Sequence, residues 1–574
     1  YGLNLMSEPL AAAADFRVSA ASDSSGVQTA RVALDRIELW TDGQKTDIRP
    51  TEASVSTGKD GSAAAVHSGD LDLRFTASGP IDSVSGAFGR LSGQATKWMG
   101  KGTFDMDSVA SVLPVFRLAG TAGAHNLLNG FLSTKGVQFD SLALDVESGY
   151  AKGPDVALRL TGLTTGKMAL DTVAVHLGKQ ERKMVFDVGL QGRPKASVDV
   201  ADVRFSGFLV DSTVRLQCVQ TDRQGNIGYY FGWNGVWSDS TITVRMDEQP
   251  VFGFAQWTVN PNNYLSYRLK KAFAADFRLS HENKRVSVVT QQDSVVVNIA
   301  GIDVASTLKP LPGMPPLGGM FGADAAFKME TGQLGVRGAV RVDSLTYEGR
   351  RVADLYLSGA FRQDTLHTEV AAQMDLNGAR ALALQGETLS DSVGTSSTID
   401  LDLAGLPLAA AQAFLPEGTI GVSGSLQGHL NYRDTLSRPV LSGGLWFTDT
   451  RVDVPMIGTS FGMAPDTISI ENSVLQFSNY GIVAPNKEKL FVDGTVDLNG
   501  ADHRIRVDTR LHPDRFQFVD VARSRKTMVY GTGYMGLNAS ARGAIDDLAI
   551  RGNVKLLPGT AVSYVMQESA ISDL

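Results

Sequence analysis

The stretch DLDLRFTASG, residues 70–79, sets Leu71, Leu73, Phe75 and Ala77 in alternation with Asp72, Arg74, Thr76 and Ser78. Successive side chains of a strand point to opposite faces, so the segment has one apolar face and one wet face. The same period of two recurs in VALRLTGL (156–163), MVFDVGLQG (184–192), TIDLDLAGL (398–406) and HRIRVDTRL (503–511). Gly, Asp, Asn or Pro stands near each, and the 60 glycines of the chain supply turns and bends. This is the pattern of half-exposed antiparallel strands, and it predicts an all-β fold with a few short helices. Three arrangements satisfy such strands: two stacked sheets, a closed barrel or solenoid, or one sheet curled into a trough whose apolar lining stays open.

At 574 residues the chain exceeds what one compact core holds, so it is several domains or one elongated repetitive body. A hydrophobic share of 43% and a charged share of 20% are ordinary for a folded protein. The net charge of −8 argues against a nucleic-acid partner, because phosphate binding wants clustered Lys and Arg. The densest basic run, RSRK at 523–526, reads as a solvated edge or turn. Cys218 is the sole cysteine and alternates with Val214 and Leu216, so it reads as a buried structural thiol. No run of about 18 apolar residues is present to cross a membrane as a helix. A start at Tyr1 and a stop at SAISDL read as a fragment of a longer protein that carries its targeting or anchor elsewhere.

Asp followed by Ser or Thr recurs as punctuation, at Asp140, Asp211, Asp293, Asp343 and Asp364 among others, and favours turns after which a strand resumes. Helices are expected over DMDSVASVLPVF, 105–116, and LPLAAAQAFLPEG, 406–418. Pro and Gly crowd together in KPLPGMPPLGGMFG, 309–322, and a further break follows SDSVGTSS near 395. These breaks divide the chain into a repetitive β segment at 1–310, a continuation at 311–395 and a last region at 396–574.

The motifs that carry chemistry fail one by one. GTGYMG, 531–536, has dinucleotide-binding spacing but is followed by the strand-like LNASARG, so it reads as a glycine-rich β turn. The eight histidines are scattered, with no HExxH and no zinc spacing, and His503 and His512 flank a strand. Asp400 and Asp402 share a strand face and read as solvated polar surface rather than a glycosidase pair. No GxSxG elbow occurs. The aromatic run GYYFGWNGVW, 228–237, reads as a packed hairpin with cross-strand pairs, with a docking patch as the alternative. The chain is therefore expected to be no enzyme, with no cofactor and no metal, and its surface to be the working part.

A large bare apolar surface is rare unless it binds something, and acyl chains fit by magnitude. Each buried methylene contributes about 0.8 kcal/mol, so a 16-carbon tail costs on the order of 13 kcal/mol to leave in water. A uniform lining removes that cost at every step without holding the lipid at one place. The candidate lining is Leu71, Leu73, Phe75, Val156, Leu158, Leu160, Met184, Phe186, Val188, Leu190, Ile399, Leu401, Leu403, Ile505 and Val507. With one strand per about 17–30 residues the chain would hold roughly 20–34 strands, or about 95–165 Å of stacked sheet.

The run from 399 to about 500 resembles the C-terminal region of the TamB family. It carries GSLQGHL, then Arg438-Pro439, LSGGLWF, IGTSF, ISIENSVLQF and a further GTV strand; LAIRGNVKLLPGTAVSYVM resembles the family's continuation. With PVFGFAQWTVNPNNY at 250–264, the chain looks like a Bacteroidota-type member. The resemblance implies an AsmA-like periplasmic protein, anchored in the inner membrane by an N-terminal helix and reaching the outer membrane. The implied fold is a long, curved, taco-shaped β-sheet with a hydrophobic groove, and the implied role is phospholipid transport. An older reading of the family, with a TamA-type outer-membrane barrel as partner, is assembly of β-barrel proteins. A passive β-solenoid is the third reading.

Overall fold

In the computed structural model the described residues run from 11 to 564, apart from 42–43, 88, 91–104, 134, 150–152, 166–168, 193–199, 239, 269–271, 309–315, 331–332, 392–393, 416–419, 436–438, 500–503, 514 and 524–528. Most of RSRK, His503 and the first half of the 309–322 break thus lie outside the described residues. The protein is all-β, with 74% of its described residues in strands and 7% in helix. The strands fall into two units: one comprises 1–290 with 306–314, the other 291–305 with 315–574. Within each unit they form a curved antiparallel sheet in which sequence neighbours are mostly spatial neighbours.

Thirty-nine strands are present among the described residues, above the sequence-based estimate. Part of the excess comes from very short pieces such as Val251–Phe252, Ala255–Gln256 and Thr258–Val259. Turn chemistry follows the residues. Asn377 and Gly378 both take positive φ, at 51° and 80°, and join strands His367–Leu376 and Ala379–Ser390 in a tight hairpin. Two left-handed residues match the right-handed twist of the paired strands. Asp364 accepts from the backbone N–H groups of Leu366 and His367, the Asx turn expected of the Asp punctuation. At Asp343 the expectation of a turn fails. Ser344 has φ 53° and the register slips there, so the pair forms a bulge inside strand Gln333–Tyr347.

The helix expected over 105–116 spans Met106–Val112, its first turn capped by the Asp105 carboxylate accepting from the Asp107 N–H. The one expected over 406–418 is a 3-10 helix, Leu408–Phe414, because the preceding strand runs on to Pro407. Helix Leu127–Ser133 was not expected, although its signal is local. Asn126 accepts from the Asn129 N–H as a cap, and Leu127, Leu128, Phe131 and Leu132 then fall on one side. GTGYMG is neither a turn nor a nucleotide loop. It lies inside strand Val529–Ala544, where a Cβ on Gly531 (φ +117°) would stand 1.9 Å from the Ala561 carbonyl oxygen. Glycine is needed there because two backbones nearly touch.

Candidate functional site: two apolar rows across the strands

Residues directly opposite each other in an antiparallel pair lie on the same face, so register decides what stands beside what. In the first unit one row reads Val18, Val32, Ala53, Val66, Leu73, Gly120, Leu144, Leu158, Val175, Val188, Phe205, Cys218 and Phe231, each directly opposite the next. In the second unit a row reads Val297, Ala325, Gly338, Gly359, Ala372, Leu384, Leu401, Leu430, Gly443, Ile470, Leu475, Val496, Val507, Gly543 and Leu548. Neither row contains a charged or hydroxylic side chain. The opposite face reads quite differently, for example Arg74, Ala119, Asp145, Ala157, His176, Asp187, Ser206 and Gln217.

The register places the sequence candidates as follows. Leu71, Leu73, Phe75, Val156, Leu158, Leu160, Met184, Phe186, Val188 and Leu190 share the apolar face of the first unit. Ile399, Leu401, Leu403 and Val507 share that of the second. Ile505 stands apart, preceding strand Arg506–His512, and is 36% exposed. Leu71 and Leu403 are buried, each 8% exposed; the other strand candidates are half-buried. A side chain between two stacked sheets loses nearly all contact with water, so half-burial fits a face covered by its own neighbours and little else. Charges do reach this face at strand ends, as Lys179 does, 2.7 Å from Asp107.

Cover is local. Leu128 and Leu132 of helix Leu127–Ser133 pack on the cluster of Leu71, Ala122 and Phe139, and Leu127 and Phe131 on Ile37. The 3-10 helix sets Ala410 against Ala353, Leu376 and Ala381, beside Leu355. The row of the first unit ends among aromatic rings. Phe252 stacks on Phe231 at 5.8 Å between centroids and meets Tyr229 and Trp257 edge-on, and Trp233 stacks on Phe277. The aromatic run is thus part of a packed cluster, with Tyr229 and Phe252 as a direct cross-strand pair. Sequence reasoning missed the segment Val251–Val259, whose short strands pair into the sheet and set Phe252 against Phe231 and Tyr229, with Trp257 edge-on to Phe252.

Gln220 was missed too. It lies opposite Val203 and Tyr229 on the apolar face, 2% exposed, with neither amide atom hydrogen-bonded. Cys218, in the row itself, is 4% exposed, and burial pushes its thiol up to about 11, which keeps it protonated and unreactive at neutral pH.

Hollows occur on the polar face. One of about 730 Å³ surrounds Arg337 over Ala326, Ala360 and Ala371, and one of about 610 Å³ lies between Arg74 and Arg159 over Ala119, Ala143 and Ala157. They are gaps where alanine sits between long charged side chains, and the second also touches Gly120, Leu144 and Leu158 of the row. Asp400 and Asp402 are exposed on this face, Asp400 accepting from Asn431 at 2.6 Å. No family model, curated protein or solved structure matches the chain.

Proposed function

We propose that the chain is a lipid conduit, carrying phospholipid acyl chains along its apolar rows while head groups stay at the rim. The observation that carries this reading is the register, which keeps apolar or glycine residues opposite one another across thirteen strands in one unit and fifteen in the other. At about 4.8 Å per strand those rows run roughly 58 and 67 Å, each longer than the ~30 Å hydrocarbon core of a bilayer. A continuous row with no polar stop lets a tail slide, because each step exchanges one aliphatic contact for another. Together with the TamB resemblance, this supports the reading of a bridge-like transporter of the periplasm, its parent anchored in the inner membrane, reaching the outer membrane and partnered there by a TamA-type barrel.

The test is native mass spectrometry after incubation with phosphatidylethanolamine vesicles. Phospholipid should remain bound to the unaltered chain and be lost from the variant Leu158→Asp with Leu401→Arg, with unchanged circular dichroism. Undiminished lipid in the folded double variant would overturn the reading. Crosslinks from strand edges to nascent barrel proteins, with none to lipid, would instead favour the assembly role.

A further inference from the structure

Beside the main row of the first unit runs another on the same face: Val173, Leu190, Val203, Gln220, Tyr229 and Phe252, each directly opposite the next. Gln220 brings an amide into this row, and its oxygen and nitrogen are both buried without a hydrogen bond. A dry, unpaired amide forfeits its hydration and gains nothing in return. The register slips beside it, pairing Gln220 with Tyr229 and Thr221 with Ile227, so Gly228 bulges between them. A Cβ on Gly228 would stand 2.1 Å from the Gln220 Oε1 and 3.1 Å from Cζ of Phe254. The amide and the Phe254 ring thus meet over Gly228, and the ring helps to keep water out.

Phe254 comes from the tip of a small hairpin, in which Val251–Phe252 pairs with Ala255–Gln256. Its turn residues Gly253 and Phe254 have φ of 61° and 65°. A two-residue turn with both φ positive favours glycine in second place. Asn377-Gly378 and Glu348-Gly349 follow that preference. Here the order is reversed, and a phenylalanine takes the left-handed backbone that a bulky side chain resists. Gln249, just before the hairpin, is left-handed too, with φ 59°. The hold on the sheet is short: Phe252 and Val251 lie opposite Tyr229 and Tyr230, and the Phe254 N–H donates to the Gly228 carbonyl at 3.0 Å.

We propose that the hairpin Val251–Gln256 is an autoinhibitory stopper, which holds with Phe252 the place of an acyl tail at the end of this row and swings aside when a tail arrives. The closed form carries two costs that end on opening, since Gln220 is then hydrated and Phe254 leaves its left-handed backbone. The tail replaces the ring contacts of Phe252 with Phe231 and Tyr229, whose centroids lie 5.8 and 5.9 Å away. It shifts the balance because it fits the open form alone. The identity of the occupant rests on the lipid reading; the poise of the hairpin does not.

Hydrogen exchange of the segment 250–258 in the full chain, with and without phosphatidylethanolamine vesicles, tests the stopper. Gln220→Leu removes the dry amide. Phe254→Gly removes the left-handed phenylalanine and lets water reach Gln220 with the hairpin closed. Each should slow exchange of 250–258 at least fivefold, with strand Ala169–Gln180 unaltered. Groups that merely packed the hairpin down would give the opposite sign, faster exchange on their removal. Vesicles should speed exchange of 250–258 at least threefold in the unaltered chain and less in either variant, and native mass spectrometry should find less phospholipid on the variants. Phe254 is 42% exposed at a hairpin tip, so its variant should keep the circular dichroism of the unaltered chain even where Gln220→Leu disturbs packing. Unchanged or faster exchange in a variant with unaltered circular dichroism, or slower exchange with undiminished lipid, would overturn the stopper alone. No lipid on the unaltered chain would overturn the conduit, and with it the tail as occupant.

Discussion

The two apolar rows share a register rule and differ in what fills them. In the first unit the row is built largely of Val, Leu and Phe and ends among the rings of Phe231 and its neighbour Phe252. In the second, Val297 is followed by Ala325, Gly338, Gly359 and Ala372, and the row ends at Leu548. A Cβ on Gly338 would stand 2.8 Å from the Ala325 Cβ, and one on Gly359 would stand 2.7 Å from the Ala371 carbonyl oxygen. Neighbouring backbones therefore crowd towards the apolar face at these strands, and glycine there is a condition of the curvature. The comparison teaches that one binary pattern can fill a row with large side chains or with small ones, and that the strand-to-strand crowding decides which residues fit.

The largest expected effect is at the aromatic cluster. Trp257, 6% exposed and edge-on to Phe252, should cost about 3–5 kcal/mol as Trp257→Ala, the range for emptying a buried aromatic site. Hydrogen exchange should show the loss in strands Ile227–Ser238 and Ala272–His281, with Val474–Val483 still protected. Equal loss in both units would break the contrast between a row that ends in packed rings and one that does not.

Glycine comes next. Gly338→Val should destabilise by about 1–3 kcal/mol through overpacking. Gly189→Val, where nothing lies within 4 Å of the new Cβ, should stay within about 0.5 kcal/mol. Equal denaturation midpoints for the two variants would show that curvature at Gly338 does not need the missing side chain.

The smallest effect belongs to the polar face. Arg215 donates to both carboxylate oxygens of Asp247, Nη1 to Oδ1 at 2.6 Å, and Asn234 adds a third bond. The Arg215 guanidinium holds the Asp247 carboxyl below the usual carboxylate range. A carboxyl depressed on folding stabilises above its unfolded value, near 3.9, and loses that contribution as pH falls through its folded value. Asp247→Asn should therefore cost about 1–2 kcal/mol at pH 7, and the gap to the unaltered chain should close on acidification below about pH 4. A gap that is constant from pH 7 to pH 3 would assign the loss to packing instead of charge.

Much of the architecture was legible in single segments. The alternation in DLDLRFTASG and VALRLTGL identifies strands and their apolar faces because side-chain direction in a strand is a property of the local backbone. The same logic assigned fifteen lining candidates to strand faces; fourteen lie on strands, and Ile505 precedes its strand. Asp105 announced a helix because capping is also local. GTGYMG misled because its glycines serve contact with Ala561, thirty residues on, which no local pattern reveals.

By itself the sequence determined that this protein is made of strands with one apolar face, and which residues lie on it, since both follow from a period of two. Tertiary structure alone decided which strand lies beside which, and so whether apolar positions join into rows. It also decided that Val251–Val259 pairs beside the end of one row and that Gln220 lies among apolar neighbours. The physical reason is range: side-chain alternation is fixed within a few residues, whereas register, cover and charge pairing depend on segments brought together from far along the chain.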